Sequence, residues 1–416
     1  MWLRYNSNIA STEHYEETQI RNSITYDPIM EKFSAPLPLK SDPESCLAPN
    51  DNHAKHMYYK MAKSLNNNQE EKNVILDSFN KLIDLGYVKK LSDMDNATQA
   101  DVLSKQCYFI PWQVVYKLSS VTTPCRIVLN ASSITKSGKS LNNLLCKGAP
   151  KLNMLPLTLA MLIDPILVTL DLSKFYNSVL IPKSQYHLQC VFWNENLDPD
   201  NPPEIFILTT HFYGLASSGR ILEMCLEKTA ELHKDKELFH RVFTTQVYVD
   251  DIFANCQTSA EADQIKHDCN TILPKMGFKI KGFGESYKEP DNSISEIIDG
   301  EKSVPTLGMI WFPKSDHLRY RIPNFDLSIK QKKGQTSTKP FTGESLEEFQ
   351  NYIPQKITLR SVASKAASLY DPIGYLQPWY LGVKHLLRLS CESVGRDWDA
   401  YLSDDLRNQW TKKFYE

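Results

Sequence analysis

The sequence predicts a mixed α+β protein in which helical and strand segments alternate along the chain. Apolar residues recur at spacings of three, four and seven over residues 53–85, which is the period of an amphipathic helix, and Gly86 is placed to end that helix. Residues 108–118 and 125–129 are rich in β-branched and aromatic side chains and predict two strands joined by a loop. The two patterns together favour helices packed on sheets.

Size and composition narrow the class of protein. A chain of 416 residues with 42% hydrophobic content can bury a sizeable core and predicts two or three lobes. Its 47 Lys and Arg against 49 Asp and Glu leave a net charge of -2, which by itself does not indicate a nucleic-acid partner. The 9 cysteines form no C-x-x-C pair, and the N-terminus has no apolar signal segment, so we expect a reduced intracellular protein without structural zinc.

Other segments complete the predicted order of elements. Residues 1–50 are polar and rich in proline, which predicts a linker or arm. The apolar stretch 152–170 is interrupted by Pro156, Asp164 and Pro165, so it predicts a buried helix and a buried strand instead of a membrane span. The remaining predictions are strands at 205–210 and 306–312, helices at 217–233 and 260–273, a polar disordered stretch at 286–303, a flexible loop at 330–345 and a helical block at 358–391.

Two adjacent carboxylates, Asp250 and Asp251, are the most informative feature. They lie between the apolar runs 245–249 and 252–254, which predicts a hairpin with both acids at its tip. Asp171 directly follows the apolar strand 166–170. If these strands are neighbours, the three carboxylates converge and suit two magnesium ions roughly 3.5 to 4 Å apart, a centre for phosphoryl transfer. The alternative is that the Asp-Asp pair only satisfies a turn.

A glycine- and serine-containing turn separates the two acidic sites. It runs from Tyr213 and Gly214 to Ser218 and Gly219, just before a predicted helix. Glycine permits close approach of the backbone to a ligand, and serine is a favoured helix cap.

In this order, the motifs resemble the palm motifs of retroelement reverse transcriptases. They are Asp171 with Tyr176, Gly214 to Ser218, Tyr248-Val249-Asp250-Asp251, Gly277-Phe278-Lys279 and Leu307 to Trp311. Three further motifs resemble the polyproteins of BEL/Pao retrotransposons, and this likeness runs from about Phe33 to the C-terminus. They are Cys125 to Ser132, Ser140 to Leu145, and Leu359 to Lys365 with Tyr370 to Gly374.

The resemblance implies a right-hand polymerase fold and an RNA-directed DNA polymerase activity. The implied lobes are an arm (1–50), fingers (51–160), a palm with an antiparallel sheet (161–312, with a fingers part at about 181–212) and a partial thumb or connection (313–416). The implied enzyme adds nucleotides to a primer 3′-end and uses Mg²⁺ or Mn²⁺. Its expected partners are an RNA or DNA template-primer, a dNTP and the RNase H, integrase and capsid regions of a polyprotein, with no membrane. The expected location is the cytoplasm, a virus-like particle or the nucleus.

The resemblance also assigns roles to single residues. Asp171, Asp250 and Asp251 are the implied metal-binding catalytic acids. The implied substrate-binding residues are a steric gate against a ribose 2′-hydroxyl (Tyr176), a triphosphate ligand (Arg126), lysines near the pyrophosphate (Lys279, Lys281) and the motif residues Tyr213, Gly214, Ser218 and Tyr248. The sequence departs from the family pattern at Asn130, Gly219 and Gly282, and none of these departures removes a metal ligand.

Several alternatives stay open at this point. The chain is either an active enzyme or a relic that binds nucleic acid, and Tyr176 and Arg126 are either ligands or ordinary core and surface residues. The C-terminal segment belongs to a region labelled as a Pao peptidase family, but no Asp-Thr-Gly or Asp-Ser-Gly turn is present, and its apolar spacing favours a packing helix. We expect the chain to stop before any RNase H region.

Two sets of residues could contact a template. Trp112 and Trp193 suit either the core or base stacking. The lysines that suit either a template groove or a solvated face are Lys117, Lys136, Lys139, Lys147 and Lys151.

Overall fold

Helices and strands alternate along the chain, which confirms the predicted α+β class. The architecture comes from a computed structural model that describes residues 14–66, 68–116, 125–148, 154–321, 343 and 345–416. The helices are α1 (14–23), α2 (Pro43–Cys46), α3 (Asp51–Leu65), α4 (Gln69–Asp84), α5 (Asn96–Leu103), α6 (Leu141–Leu144), α7 (Met154–Ala160), α8 (Ser218–Leu232), α9 (Glu237–Thr245), α10 (Ser259–Ile272), α11 (Leu346–Tyr352), α12 (Leu359–Ala366), α13 (Gln377–Ser393) and α14 (Asp404–Tyr415). The strands are β1 (Thr25–Asp27), β2 (Lys32–Ser34), β3 (Val88–Lys90), β4 (Trp112–Tyr116), β5 (Cys125–Leu129), β6 (Ile166–Ser173), β7 (Val179–Leu180), β8 (Cys190–Trp193), β9 (Glu204–Leu208), β10 (Val247–Tyr248), β11 (Asp251–Cys256), β12 (Lys279–Glu285), β13 (Glu296–Ile298), β14 (Glu301–Thr306), β15 (Met309–Phe312) and β16 (His317–Tyr320).

The chain divides into two compact units. The first comprises Met1–Leu152 with Ala160–Glu296, and the second comprises Asn153–Leu159 with Ile297–Glu416. The predicted boundaries of arm, fingers, palm and thumb are a finer division and stay predictions. Among the described helices, none has both the length and the apolar character that a membrane crossing requires.

One core of the first unit forms between α3, α4 and two small sheets. Strand β9 pairs antiparallel with β3 and β8, and β4 pairs antiparallel with β5. Helix α4 buries Ile75, Phe79 and Leu82, whose three- and four-residue spacing places them on one face. The Phe79 ring stacks on the Trp193 ring, with centroids 3.7 Å apart. Because Trp112 and Trp193 are both buried here, they are core residues and not base-stacking platforms.

The other core of the first unit surrounds a four-stranded antiparallel sheet with the strand order β10-β11-β6-β12. Strands β6 and β11 pair from Leu170 opposite Ile252 to Ile166 opposite Cys256, and β12 pairs with the other side of β6. Helices α9 and α10 pack against β11, and α8 packs against α9. The apolar run of β6 therefore lies in the middle of a covered sheet, and its last residues reach the end of that sheet.

The N-terminal segment predicted as an arm contributes to this core. Its strand β1 pairs with β2, and β2 runs parallel to β7 with Phe33 opposite Val179. Phe33 and Ala35 are fully buried. The described part of residues 1–50 is thus folded into the first unit, because its alternating apolar residues complete a sheet edge.

A buried histidine links the N-terminal segment to the start of α8. His211 Nδ1 lies 3.0 Å from Ser218 Oγ, and His211 Nε2 lies 3.0 Å from the carbonyl oxygen of Ala35. A carbonyl oxygen only accepts, so Nε2–H donates to Ala35, and in the neutral ring Nδ1 accepts from the Ser218 hydroxyl. Burial lowers the pKa of His211 to about 4.

This histidine predicts a loss of stability in mild acid. The unfolded chain binds the imidazole proton near the ordinary pKa of about 6.5, whereas the folded chain binds it only near the lowered value. The contribution is therefore present above the unfolded pKa and is lost as the pH falls toward the folded pKa. We expect the free energy of unfolding to fall by about 1 kcal/mol between about pH 7 and about pH 5.5 through this group. Urea unfolding of wild type and His211→Gln at both pH values measures the difference, and the same pH dependence in both proteins would contradict it.

The second unit contains a four-stranded sheet with the order β13-β14-β15-β16 and a helical core. Strands β14 and β15 meet at Leu307 and Gly308, with φ of 47° and 76°, a two-residue turn that reverses the chain. In the helical core, Trp410 of α14 is fully buried, and its Nε1–H donates to Ser390 Oγ of α13 at 2.8 Å. Strand β15 is buried along its whole length, and the helical core buries apolar side chains of α12, α13 and α14.

The predicted packing helix at the C-terminal block is confirmed as α12. Thr358 caps it by accepting the backbone N–H of Ser361, and Leu359, Val362 and Ala366 are buried. The helix ends at Ala366 and α13 begins only at Gln377, so the predicted helical block 358–391 is interrupted.

Other predicted segments were wrong in type or extent. The stretch 286–303 is not disordered, since it contains β13 and the start of β14. The segment 306–312 is not one strand, because the turn at Leu307 and Gly308 divides it. Thr245 belongs to the end of α9, so the strand before Asp250 is only β10. The predicted loops at 119–124 and, apart from residues 343 and 345, at 330–345 lie outside the described residues.

Candidate active site

Strand pairing brings the predicted acids to one end of the central sheet. Leu170 of β6 is opposite Ile252 of β11, and continuing this register by one residue places Asp171 opposite Asp251. Residues directly opposite in an antiparallel pair lie about 4.5 to 5.5 Å apart between Cα atoms and point to the same face. The Asp171 side chain is 39% exposed, so it is accessible at the sheet end. The predicted convergence of Asp171 and Asp251 is therefore consistent with the strand register.

The Asp-Asp turn has an unusual backbone. Tyr248 of β10 pairs with Asp251 of β11, so only Val249 and Asp250 connect the two strands. Val249 has a φ of 54°, a left-handed conformation that is disfavoured for a β-branched residue. Asp250 is exposed and Asp251 is half-buried. The tight turn thus presents two successive carboxylates at the same end of the sheet as Asp171.

Two tyrosines and an arginine lie beside these acids. The rings of Tyr176 and Tyr213 are 4.0 Å apart between centroids, and the Arg126 Cζ lies 5.9 Å from the Tyr213 ring centroid. Burial and then the charge of Asp250 raise the pKa of Tyr176, and the same two causes raise the pKa of Tyr213 to about 12. Four of the predicted site residues are therefore brought together, and both tyrosines stay neutral near Asp250.

Gly214 allows two distant segments of the chain to approach each other closely. Its φ is 106°, and a Cβ there would lie 2.0 Å from the carbonyl oxygen of Leu129 at the end of β5. The side-chain amide of Asn142 donates to the Gly214 carbonyl at 2.8 Å, and its oxygen accepts the Ala216 N–H at 2.9 Å. The glycine allows close approach of β5 to this turn, and Asn142 holds the turn in place.

Ser218 does not cap α8. The N-cap position is Ser217, without a side-chain capping bond, and Ser218 is the first helical residue. A serine therefore occupies the cap position as predicted, but the Ser217 side chain makes no capping bond, and the Ser218 hydroxyl is fully buried against His211.

The two predicted lysines have different environments. Lys281 Nζ donates to Asp171 Oδ2 at 2.7 Å, whereas Lys279 is exposed opposite Ser173. Gly282 is opposite Asp171, and a Cβ there would lie 2.6 Å from Ser293 Oγ. A side chain at position 282 would therefore require Ser293 to move, and Lys281 is the predicted lysine that reaches Asp171.

The sequence interpretation missed two residues near the site. Lys174 has a φ of 54° directly after β6, and burial, together with the charges of Lys81 and Arg126, lowers its pKa. Glu223 of α8 accepts the Val249 N–H at 2.9 Å. Lys174 could have been predicted as a site residue, because it lies three residues after Asp171. No local pattern marks Glu223.

The possible template lysines are only partly described. Lys136, Lys139 and Lys147 are exposed, which suits either a solvated face or a binding groove. Lys117 and Lys151 lie outside the described residues. The position of a template strand therefore stays a prediction.

A divalent cation fits these residues by donor chemistry and by strand position. Asp171, Asp250 and Asp251 offer the oxygen ligands that Mg²⁺ and Mn²⁺ prefer. The side chains themselves are not gathered around one point: among the described residues, no group of three His, Cys, Asp or Glu side chains is arranged to hold a metal ion. The Asp171 carboxylate is instead paired with Lys281.

One sequence family matches the C-terminal part of the chain. Residues 358–415 match the family described as Pao retrotransposon-like RNaseH-like domain. This match confirms the predicted relationship to Pao retrotransposons for that segment. The description names an RNaseH-like domain and not a peptidase, and it does not support the expectation that the chain stops before any RNase H region. No curated protein matches the chain.

Solved structures of a foamy viral protease-reverse transcriptase are similar to this chain at low sequence identity. One, in complex with an RNA/DNA hybrid, has a TM-score of 0.48 at 15% identity and covers 83% of this chain and 36% of that one. Another, in complex with dsDNA, has a TM-score of 0.45 at 15% identity, with 82% and 56% covered. This chain thus spans 36% to 56% of the length of those chains. Both TM-scores are below 0.5, so we base the fold on the strand pairing above.

Proposed function

We propose that this protein is an RNA-directed DNA polymerase of retrotransposon type that extends a primer 3′-end on an RNA or DNA template. The observation that carries the proposal is the register of β6 and β11, which puts Asp171 opposite Asp251 with Asp250 at the adjoining turn. A turn motif alone does not require an acid at the end of a neighbouring strand. This placement of the three acids at one end of the sheet therefore favours a shared cation site over two unrelated turns.

The proposed chemistry is metal-assisted nucleotidyl transfer. A pair of Mg²⁺ or Mn²⁺ ions bound by the three carboxylates would supply activation of a 3′-hydroxyl and stabilisation of charge on the triphosphate. Arg126 offers a forked guanidinium, which matches phosphate oxygens in pairs. Lys174 is a second cation beside it, since its lowered pKa partly reflects the Arg126 charge. The three aspartates thus provide negative charge for cations, and Arg126 and Lys174 provide positive charge for phosphates.

Tyr176 is the proposed gate against a ribose 2′-hydroxyl. Its ring packs against Tyr213 and its hydroxyl is 3.5 Å from the position of a Cβ built on Gly219. The Tyr213 contact supports the Tyr176 ring on one side, near Asp250, where an added 2′-hydroxyl would meet an aromatic surface. A Cβ at position 219 would be in ordinary contact with the Tyr176 hydroxyl, so the glycine that replaces the proline of the family pattern is not required by this ring.

The finer architecture belongs to the same proposal. We place fingers at 51–160, a palm at 161–312 with the central sheet, and a thumb or connection at 313–416, as a right hand. The template-primer, the incoming dNTP and the remaining polyprotein regions are the proposed partners. The foamy viral structures in complex with nucleic-acid duplexes concern that protein, and they motivate the choice of ligand for the test.

The Lys281 contact predicts a measurable competition for Asp171. We expect Lys281→Met to raise Mn²⁺ affinity about fivefold. Lys281 competes with the cation for the Asp171 carboxylate, and the lost, partly exposed ion pair contributes about 1 kcal/mol to that competition. Lys279→Met is the matched control, since Lys279 is exposed on the same strand and is predicted to leave the affinity unchanged. Isothermal titration calorimetry measures both, and equal affinities in the two variants would contradict the competition.

Primer extension tests the proposed function. Purified protein is given a homopolymer RNA template, a complementary DNA primer and a dNTP with Mg²⁺, Mn²⁺ or chelator. We expect extension with either metal and none with chelator. If folded protein makes no product, a template-binding assay separates a nucleic-acid-binding relic, which retains binding, from a protein without either property.

A further inference from the structure

A buried glutamate contacts the backbone of the Asp-Asp turn. Glu223 lies on α8 and is 3% exposed. Its Oε1 accepts the N–H of Val249 at 2.9 Å. Val249 is the left-handed residue that connects Tyr248 to Asp250. The only protein segment between β10 and the two acids is therefore anchored by a side chain from a different element.

Arg220 holds this glutamate in position. One turn before Glu223 on α8, its Nη1 donates to Glu223 Oε2 at 3.2 Å and to Glu227 Oε1 at 2.9 Å. Its Nε donates to Glu17 Oε1 at 2.8 Å. One carboxylate oxygen of Glu223 thus faces the guanidinium while the other faces the turn.

The N-terminal helix extends the network. Glu17 lies on α1, and Arg21 of the same helix pairs with Glu227 and, at 3.3 Å, with Glu231. Two arginines and their glutamates therefore join α1 to α8, the helix that carries Glu223.

The charge of Glu223 would otherwise be unfavourable here. A buried carboxylate near two aspartates is disfavoured by desolvation and by repulsion. The neighbouring Arg220 guanidinium offsets both at one carboxylate oxygen, and the other oxygen accepts the Val249 N–H. That bond stabilises a backbone conformation that valine otherwise avoids.

We infer that Glu223 is a positioning residue that sets the conformation of the turn carrying Asp250 and Asp251, with Arg220 fixing its orientation. The inference rests on the proposed function for its catalytic meaning. It concerns the backbone at Val249, and so it is tested without any catalytic readout.

Two conservative variants separate positioning from general packing. Glu223→Asp keeps the charge beside Arg220 but is shorter by one methylene and no longer reaches the Val249 N–H. Glu227→Asp makes the same shortening one turn further along α8, at a buried glutamate that bonds Arg220 and Arg21, and it leaves the bond of Glu223 to the Val249 N–H in place. Hydrogen exchange of the Val249 amide, resolved to single residues by mass spectrometry, is the primary readout, and Mn²⁺ affinity is the second.

The two variants have opposite expected results. In Glu223→Asp we expect Val249 exchange to rise about tenfold or more, because a hydrogen bond to a charged acceptor is lost, and Mn²⁺ affinity to fall. In Glu227→Asp we expect exchange to stay within about threefold of wild type, because Glu223 keeps its bond to the Val249 N–H. Unchanged Val249 exchange in Glu223→Asp, or equal increases in both variants, would overturn the inference.

Failure of the proposed function gives a different pattern. If wild type neither binds Mn²⁺ nor extends a primer while Val249 exchange follows the predicted contrast, the positioning contact is real and the polymerase assignment is wrong. If wild type is active and the contrast is missing, only the role of Glu223 is overturned.

Discussion

Replacing Asp250 by asparagine is expected to reduce primer extension by about 10²- to 10³-fold or more, the scale seen when one preorganised electrostatic group is removed from an active site. The change removes a negative charge at the exposed tip of the turn and almost no volume. Folding should therefore be preserved, because Asp250 is exposed and its loss leaves no cavity. Single-turnover nucleotide incorporation, with thermal unfolding measured in parallel, gives both quantities.

The control for this prediction is another exposed acid. Asp200 is exposed in a loop of the first unit, away from the central sheet, so Asp200→Asn loses the same charge without touching the site. It is expected to retain wild-type incorporation. Full activity in Asp250→Asn, or equal losses in the two variants, would remove Asp250 from the catalytic site.

Gly214→Ala is expected to lower the free energy of unfolding by about 3 kcal/mol or more, from backbone strain of about 1 to 2 kcal/mol and overpacking of about 1 to 3 kcal/mol. The φ of 106° is unfavourable for alanine, and the new Cβ would meet the Leu129 carbonyl oxygen at 2.0 Å. Because the atoms that the new Cβ would meet belong to the backbone of Leu129, no flexible side chain can move aside. Chemical denaturation of the purified variant measures the loss.

Gly86→Ala is the matched control for strain without collision. Gly86 has a φ of 73° after α4 but nothing lies within 4 Å of a Cβ built there. We expect a loss of only about 1 kcal/mol in that variant. Similar losses at positions 86 and 214 would show that contact with Leu129 is not the cause.

Local patterns were sufficient to predict most elements and the position of the three acids at strand ends. Asp171 and the Asp250-Asp251 pair each adjoin a short apolar run, and such runs fix strands with polar residues at their ends. Helix α4 and Gly86 were predictable in the same way, because spacing and a glycine with positive φ are both local properties. These features depend on neighbours in sequence.

The partners of these residues were not predictable from local patterns. Ser218 bonds His211, Gly214 contacts Leu129, and Lys281 reaches Asp171 across 110 positions of sequence. Each partner is chosen by strand pairing or helix packing between distant segments. The role of Glu223 was not predictable for the same reason. It lies in an ordinary helical sequence, and it contacts Val249 only because α8 packs beside the turn.

The turn at Leu307 and Gly308 shows a different limit. The apolar run 306–312 fits a single strand by period, and only the positive φ of both turn residues divides it. A glycine in a strand pattern marks either a bulge or a turn, and the sequence does not distinguish them. Tertiary pairing of β14 with β15 decides the matter.

Titration of the protein with Mn²⁺, followed by electron paramagnetic resonance, tests the central claim that Asp171, Asp250 and Asp251 form one cation site. The account predicts that wild type binds Mn²⁺ and that Asp171→Asn, Asp250→Asn and Asp251→Asn each weaken binding by at least about tenfold, as expected when ligand shells are disturbed. Asp200→Asn should bind as wild type does. Absence of Mn²⁺ binding by folded wild type, or equal binding by all four variants, would contradict the claim.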